Sequence, residues 1–276
     1  MIVSKKGQLS TFLNQGYLLY SRLRGISQLH RPNLMLSEVP GGDDLGLAGL
    51  PGLWNCTKIW IMKTQIVKVD VEAPGERELE AVIRVLKKGG VIVYPTDTFY
   101  GLGADSFSRK AAGRIYELKG RAWTKPLSVV ISDRDMLEQV ARDIPLVFGA
   151  VAQRFWPGPL TVVFYASDRL PEELHAGSGS IAVRLPDHPW LRRLVSRAGF
   201  PIIATSANPS GGPEVSDPGE AADLFLGRVE CIVNGGPTPG GKPSTVLDLR
   251  GNPRILREGA VATPLLRDLL PLVQTE

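Results

Sequence analysis

The stretch of residues 91–125 constrains the fold of this chain more than any other. Its first four residues are apolar or aromatic, which is typical of a buried strand. A turn rich in hydroxyls and glycines follows, and then a helical pattern that ends at Lys119. Arg121 and Lys125 complete a cluster of three cations within seven residues. A strand, a polar turn and a cationic cluster in this order predict an anion site of an α/β protein.

Helix and strand patterns alternate along the rest of the chain, and the end is rich in strands. This order predicts one α/β domain with a mixed sheet. We expect helix N-caps at Ser108, Ser216 and Thr263. The predicted helices are 76–88, 108–119, 134–141, 146–155, 189–198, 216–226 and 263–273, and the predicted strands are 67–71, 91–94, 127–131, 160–165, 181–185, 201–205, 230–234, 245–249 and 254–257.

Residues 1–61 differ from the rest in composition. Their periodicity is poor, residues 41–52 form a glycine-rich loop tract, and no signal peptide is recognisable. An arginine-rich start without acids allows an organellar transit peptide, but we favour a disordered or non-native N-terminal extension. Residues 62–276 then form the functional domain. Residues 1–37 contribute +5 and the remaining residues sum to −1, which gives the net charge of +4. The isoelectric point near 9.1 therefore comes from residues 1–37 and is weak evidence for nucleic-acid binding by the rest of the chain.

The composition excludes several classes of protein. Two distant cysteines, Cys56 and Cys231, cannot form a disulfide framework or a four-cysteine zinc site, and they favour a reducing compartment such as the cytoplasm. Three scattered histidines make a histidine metal centre improbable. No run of 18 apolar residues is present, so we expect no transmembrane helix and no membrane partner.

Two glycine-rich stretches imitate nucleotide-binding motifs without completing them. Gly101-Leu-Gly-Ala-Asp-Ser106 has serine where a dinucleotide fingerprint needs its third glycine. The stretch from Gly236 to Pro243 resembles a P-loop, but Pro243 replaces the required Ser or Thr. Two further prolines remove amide donors that must cradle phosphates. A Rossmann or Walker-type site is therefore not expected.

Candidate functional residues lie at the ends of several predicted strands, and each also has a structural explanation. Lys119, Arg121 and Lys125 suit a polyphosphate, or they offset the dipole of a helix end. Thr98 follows a strand and suits a small polar substrate, or it belongs to an ordinary turn. Arg184 points into a cavity and pairs with a carboxylate, or it faces solvent.

The remaining candidates strengthen the case for one shared cleft. Ser206 and Asn208 follow a strand, Ser244 opens another, and Arg257 ends a third. Each alone is equally consistent with helix capping or a surface ion pair. Because polar clusters recur at separate strand ends, their agreement predicts a cleft lined from several strands.

Eight stretches together resemble the YrdC-type L-threonylcarbamoyl-AMP synthases, of the type with a single domain. The resemblance covers about residues 71–262, and the combination of Lys-x-Arg with Ser-x-Asn is specific to that family. The stretches are Tyr94-Pro-Thr-Asp-Thr-Phe-Tyr-Gly-Leu-Gly103, Lys119-x-Arg121, Lys125-Pro-Leu127, Trp156-Pro-Gly-Pro-Leu-Thr161, Arg184-Leu-Pro-Asp-His188, Ser206-Ala-Asn208, Ser244-Thr-Val-Leu-Asp248 and Arg257-Glu-Gly259.

The resemblance implies an open, twisted mixed sheet with flanking helices and a large cationic cavity. It also implies a reaction of L-threonine, bicarbonate and ATP that gives threonylcarbamoyl-AMP and pyrophosphate. A downstream tRNA threonylcarbamoyl transferase would use the product to modify tRNA. The sequence offers no dedicated catalytic base and no covalent nucleophile for such a reaction, so we expect catalysis to depend mainly on positioning and charge stabilisation.

The resemblance assigns site residues position by position. Lys119 and Arg121 correspond to the catalytic pair that binds the phosphates. Magnesium is expected to arrive with ATP, without a metal site built by the protein, although Asp97 is the carboxylate to watch. Some members have histidine at the position of Val130, so that contact is missing here. Lys125, Thr161, Ser206, Asn208 and Arg257 correspond to further ATP contacts, and Thr98, Arg184 and Ser244 to contacts with L-threonine.

Two alternatives stay open from the sequence. One is an RNA-binding module of the same fold that uses the cavity for phosphates of tRNA or double-stranded RNA. The residues from Met62 onward sum to about +1, which favours a focused small-anion site over a broad basic face. The other is a paralogue with a different carbamoyl or adenylyl substrate.

Overall fold

The first helix, α1 (Glu76–Lys87), shows how apolar spacing sets the local structure. Leu79, Val82, Ile83 and Leu86 lie on one face and are buried.

The computed structural model describes residues 62–271 and 273–275, and the assignment of 1–61 as an extension lies outside them. The start of the catalytic domain at Met62 therefore stays a prediction.

Six further α-helices occur within the described residues, and most are short. Among these residues no helix is long and apolar enough to cross a membrane. The helices are α2 (Arg109–Lys119), α3 (Phe148–Phe155), α4 (Glu172–His175), α5 (Pro189–Ala198), α6 (Pro218–Phe225) and α7 (Thr263–Arg267).

Twelve strands in the described part of the chain form one mixed sheet. They are β1 (Gln65–Lys68), β2 (Ile92–Tyr94), β3 (Gly101–Gly103), β4 (Ser128–Val130), β5 (Ala141–Arg142), β6 (Leu160–Ala166), β7 (Ser180–Arg184), β8 (Ile202–Ser206), β9 (Cys231–Asn234), β10 (Thr245–Asp248), β11 (Arg254–Arg257) and β12 (Gln274–Thr275).

The strand order brings distant parts of the chain together. It runs β1-β9-β2-β3-β8-β4-β7-β6-β10-β11-β12, and β5 pairs with β6. Parallel pairs such as β4 with β7 alternate with antiparallel pairs such as β6 with β7, as the prediction of a mixed sheet requires. The ends of β2, β6, β7 and β8, which are far apart in sequence, thus come close in space.

A buried tyrosine explains the glycines of the central motif. Tyr94 is fully buried on β2, which pairs with β3. A side chain at Gly103 would place its Cβ 2.5 Å from the ring of Tyr94 and 2.8 Å from Ile202. Glycine is therefore needed at Gly103 because the tyrosine ring lies against the backbone of the neighbouring strand. The same packing explains why β3 escaped sequence prediction.

Two predicted helices need correction. Residues 134–141 form a 3-10 turn at Asp135–Gln139 and then the short strand β5, because the carboxylate of Asp133 accepts a hydrogen bond from the Met136 amide and closes a single turn. The predicted helix over 263–273 ends at Arg267, since Pro271 disfavours helix in the residue before it.

The predicted N-caps were right at one position and wrong at two. Ser108 caps α2 and accepts a hydrogen bond from Ala111. The cap of α6 is Asp217 rather than Ser216, because its carboxylate accepts from the amide of Gly219 at 2.7 Å. The cap position of α7 is Ala262, and Thr263 is the first helical residue.

Candidate active site

A cavity of about 250 Å³ lies where the ends of the central strands meet. Seven of the residues selected from sequence line it, which confirms that separate strand ends share one cleft. The lining includes three arginines and one carboxylate, Glu214. The seven residues are Thr98, Arg121, Thr161, Arg184, Ser206, Ser244 and Arg257. Lys119, Lys125 and Asn208 do not line the cavity.

Arg184 is held in place by a carboxylate and a carbonyl group. Its Nη2 lies 2.6 Å from Oδ2 of Asp97, and its Nε donates to the carbonyl oxygen of Gly158 at 3.1 Å. The side chains of Arg184 and Asp97 are only 12% and 15% exposed. Of the two explanations of Arg184, the cavity residue paired with a carboxylate is therefore correct. The described hydrogen bonds leave its Nη1 without a protein acceptor.

Arg121 is anchored by the turn that follows α2. Its Nε donates to the carbonyl oxygen of Lys125 at 3.1 Å and its Nη2 to that of Pro126 at 2.8 Å. No described carboxylate lies within 4.0 Å of this guanidinium group. Burial lowers the pKa of Arg121 from its usual value, although the group remains charged at neutral pH. Its charge is therefore available to an anion in the cavity.

Arg257 is fixed in a similar way. Its Nη2 donates to the carbonyl oxygen of Ser244 at 2.7 Å and lies 3.3 Å from the hydroxyl of the same residue. That hydroxyl is 2.9 Å from the hydroxyl of Thr161. Gly259 permits the approach of these segments, because a Cβ there would come within 2.2 Å of the Pro243 carbonyl oxygen. Ser244 therefore groups with Arg257 and Thr161.

Lys119 lies beneath the cavity and organises the Ser206–Asn208 segment. Its Nζ donates to the carbonyl oxygens of Ser206 and Asn208 at 2.6 and 2.8 Å, and to Oδ1 of Asn208 at 3.1 Å. Burial and the nearby Arg121 guanidinium lower the pKa of Lys119 to about 8. The ammonium group is thus fully hydrogen-bonded, and it adds positive charge under the cavity floor.

Asn208 and Lys125 act through contacts other than the cavity surface. Asn208 accepts from the hydroxyl of Ser206 at 2.6 Å and donates to the carbonyl oxygen of Gly212 at 2.6 Å. Lys125 is exposed, and its carbonyl oxygen accepts hydrogen bonds from Arg121 and from the hydroxyl of Tyr116. Both residues support neighbours that line the cavity.

The hydroxyls of Thr96 and Thr98 have different roles. Thr96 Oγ1 accepts from the amides of Thr98 and Phe99 at 3.1 and 3.2 Å, which is the hydrogen bonding of a tight turn. Thr98 makes a single side-chain contact, 3.1 Å from Thr96 Oγ1, and keeps further hydrogen-bonding capacity beside the cavity. The turn therefore aims Thr98 at a ligand.

A family model described as telomere recombination, with the name Sua5/YciO/YrdC, matches residues 84–259 of the chain. This match covers more than half of the sequence and every residue that builds the cavity. The chain belongs to the Sua5/YciO/YrdC family. The α/β fold predicted from the alternation of strands and helices agrees with that membership, and the roles of the individual site residues stay predictions.

Curated relatives carry the name threonylcarbamoyl-AMP synthase. The protein of Pyrococcus abyssi is 40% identical over 66% of this chain and 54% of its own length. The Bacillus subtilis protein is 38% identical over 72% of this chain and 59% of its own length. The chain thus spans little more than half of these two relatives. A protein of Marinobacter nauticus is 33% identical over 65% of this chain and 95% of its own length.

Solved structures of the family share the fold. The structure of Pyrococcus abyssi Sua5 complexed with L-threonine superposes with a TM-score of 0.74 at 36% identity, covering 77% of this chain and 62% of Sua5. Escherichia coli YciO gives a TM-score of 0.68 at 27% identity and covers 75% of this chain and 99% of YciO.

Several lining residues of this family member were not found from sequence. Tyr94, Phe99 and Tyr100 belong to the central motif, but Tyr94 was placed only as the end of a predicted buried strand, and none of the three was selected as a site residue. Tyr100 also has a raised pKa of about 12 because it is buried, and its hydroxyl donates to the carbonyl oxygen of Gly236 at 2.7 Å. Glu214 lies in a glycine- and proline-rich loop with no recognisable pattern, so no sequence signal pointed to it.

No group of three or more His, Cys, Asp or Glu side chains gathers in the described residues to hold a metal by itself. Asp97, the carboxylate noted from sequence, is engaged by Arg184 through Oδ2, and its Oδ1 is buried without a hydrogen-bond partner. A divalent cation would have to bring most of its own oxygen ligands, as it does when it arrives on a nucleotide.

Proposed function

We propose that this chain forms threonylcarbamoyl-AMP and pyrophosphate from L-threonine, bicarbonate and MgATP. The observation that carries the proposal is the presence, in one cavity, of Arg184 paired with Asp97 and of guanidinium groups at Arg121 and Arg257 that pair with no described carboxylate. The names of the relatives and the L-threonine in the Pyrococcus abyssi structure support the same reaction.

The two kinds of arginine suit the two charged substrates. In Arg184, the Nη1 that no described protein group uses would bind the carboxylate of threonine, and Thr98 lies in the same lining. Arg121 and Arg257 keep their full charge and would bind the triphosphate. The Lys119 ammonium group beneath Ser206 adds to the potential at the nucleotide end.

Catalysis would depend on position and charge. The amine of threonine and bicarbonate form a carbamate with loss of one water molecule. A carbamate oxygen then attacks the α-phosphorus of ATP as the bond to pyrophosphate breaks. Among the described lining residues Glu214 is the one carboxylate, and it is exposed rather than held over a substrate, so we assign no general base. Arg121 and Arg257 would stabilise the charge that builds up on the leaving pyrophosphate.

The product is a reactive mixed anhydride that must be handed on. We propose a tRNA threonylcarbamoyl transferase in the cytoplasm as the recipient. The cavity holds about 250 Å³, which suits small substrates rather than a nucleic-acid helix, so direct binding of tRNA or double-stranded RNA is the weaker alternative.

The test is an assay of pyrophosphate release with ATP and bicarbonate in the presence of L-threonine, L-serine or no amino acid. We expect release that depends on threonine, together with an adenylate product that mass spectrometry detects. Release without any amino acid would refute the substrate assignment. A protein that binds RNA but releases no pyrophosphate would favour the binding module instead.

A further inference from the structure

Glu214 is a carboxylate in a cavity otherwise suited to anions. It lines the same cavity as Arg121, Arg184 and Arg257, and it is the one acidic side chain among the described lining residues. The polyphosphate proposed above would meet a like charge at this position. Such a group weakens anion binding unless something lies between the two charges.

The backbone around Glu214 is well fixed although its side chain is exposed. On one side, the carbonyl oxygen of Gly212 accepts a hydrogen bond from Nδ2 of Asn208 at 2.6 Å. On the other side, Val215 is buried and its carbonyl oxygen accepts from the amide of Tyr100 at 2.8 Å. The loop therefore holds Glu214 at the rim of the cavity.

No described cation pairs directly with Glu214. Among the described residues it has no partner within 4.0 Å, yet its negative charge partly opposes the lowering of the pKa that burial causes in both Lys119 and Arg257. Glu214 thus lies close enough to Lys119 and Arg257, at the proposed nucleotide end of the cavity, for its charge to act on both. Its oxygens are free to bind a ligand from solution.

A divalent cation resolves the conflict between Glu214 and a polyphosphate. Mg²⁺ in nucleotide sites is usually held by one or two carboxylates together with phosphate oxygens and several waters. Asp97 is unsuitable because it is paired with Arg184 and buried, whereas Glu214 is exposed at the nucleotide end. We propose that Glu214 is the protein ligand for the Mg²⁺ that accompanies ATP. This inference rests on the proposed function.

The test measures ATP binding by calorimetry, without turnover, in the absence of threonine and bicarbonate. The wild type and Glu214→Gln are each titrated with ATP in EDTA and with ATP in excess Mg²⁺. In EDTA, Glu214→Gln should bind ATP about three- to tenfold tighter, because one like charge is gone. In Mg²⁺ it should bind ATP about three- to tenfold more weakly than the wild type, because the cation has lost a ligand.

Glu220→Gln is the matched control, since Glu220 is exposed in the first turn of α6 and does not line the cavity. It should match the wild type in both buffers. If Glu214→Gln strengthens ATP binding equally in both buffers, or leaves ATP binding unchanged in both, the proposed role of Glu214 as a Mg²⁺ ligand is wrong. If the wild type binds ATP in neither buffer, the proposed function itself fails, and the inference with it.

Discussion

The two sides of the cavity hold their cations in different ways. Arg184 forms a buried ion pair with Asp97, so the pair carries no net charge. Arg121 and Arg257 are held by backbone carbonyl groups, with no described carboxylate within 4.0 Å. Both arrangements fix a guanidinium group and leave Nη1 without an acceptor among the described residues. They differ in the charge that remains for a ligand.

This difference explains how one cavity can sort two anions. A neutralised pair still offers a directed donor, which is sufficient for a single carboxylate. A polyphosphate gains more from cations whose charge is not compensated, because its interaction energy grows with the charge on each partner. The Lys119 ammonium group strengthens the nucleotide side because its acceptors are neutral oxygens.

The largest effect should follow from removing Arg121, one of the two arginines that have no described carboxylate nearby. We expect Arg121→Ala to lower kcat/KM for ATP by about 100-fold or more, because the phosphates lose a direct partner as charge develops. Thermal denaturation should change little, since Arg121 bonds only to carbonyls of its own turn. Steady-state kinetics with varied ATP checks the prediction.

Arg77→Ala is the control for this variant. Arg77 is exposed on α1 and does not line the cavity, so it should leave both activity and stability unchanged. Equal activity of Arg121→Ala and wild type would mean that the phosphates bind elsewhere.

A smaller effect should follow from removing the negative charge of Asp97, which neutralises Arg184. In Asp97→Asn the guanidinium group keeps its place beside an amide oxygen, but its charge is no longer neutralised. The cavity would then hold a third uncompensated arginine, and inhibition by pyrophosphate should become about three- to tenfold stronger. Inhibition constants measured at fixed ionic strength give the answer, because salt screens this effect.

Asp187→Asn is the matched control, since Asp187 is exposed in the same segment and does not line the cavity. If Asp97→Asn leaves pyrophosphate inhibition unchanged and only raises KM for threonine, Asp97 orients Arg184 rather than neutralising it. The two sides of the cavity would then differ in how they orient their arginines and not in the net charge that they offer to a ligand.

The sequence was sufficient for features that depend on local patterns. The buried run before Pro95 and the apolar spacing of α1 can each be recognised from the residues of that segment alone, and both elements form where predicted. Polar residues at strand ends could be grouped because α/β sheets bring such ends together. Seven of the ten selected side chains do line one cavity.

Features that depend on contacts between distant segments could not be predicted in this way. Lys119 meets Ser206 across 87 residues, and nothing in its own segment says that it lies under the cavity rather than in it. Arg184 and Asp97 are also 87 residues apart, so the sequence did not show that Asp97 is the carboxylate that neutralises the charge of Arg184. Glu214 stands in an irregular loop, where no period marks a side chain that faces a site.

Ser244 shows where the boundary between the two sides lies. The family resemblance assigned it to the threonine, but its hydroxyl contacts Thr161 at 2.9 Å and Arg257 at 3.3 Å, both on the nucleotide side. Ser244→Ala removes these contacts, while the carbonyl oxygen of residue 244 continues to hold Arg257. We therefore expect a modest rise in KM for ATP of about two- to fivefold, the effect of one net hydrogen bond, with KM for threonine unchanged. Ser196→Ala, on the exposed face of α5, should change neither constant. A rise in KM for threonine alone would move Ser244 to the side of Arg184, and the boundary would then run between Ser244 and Arg257.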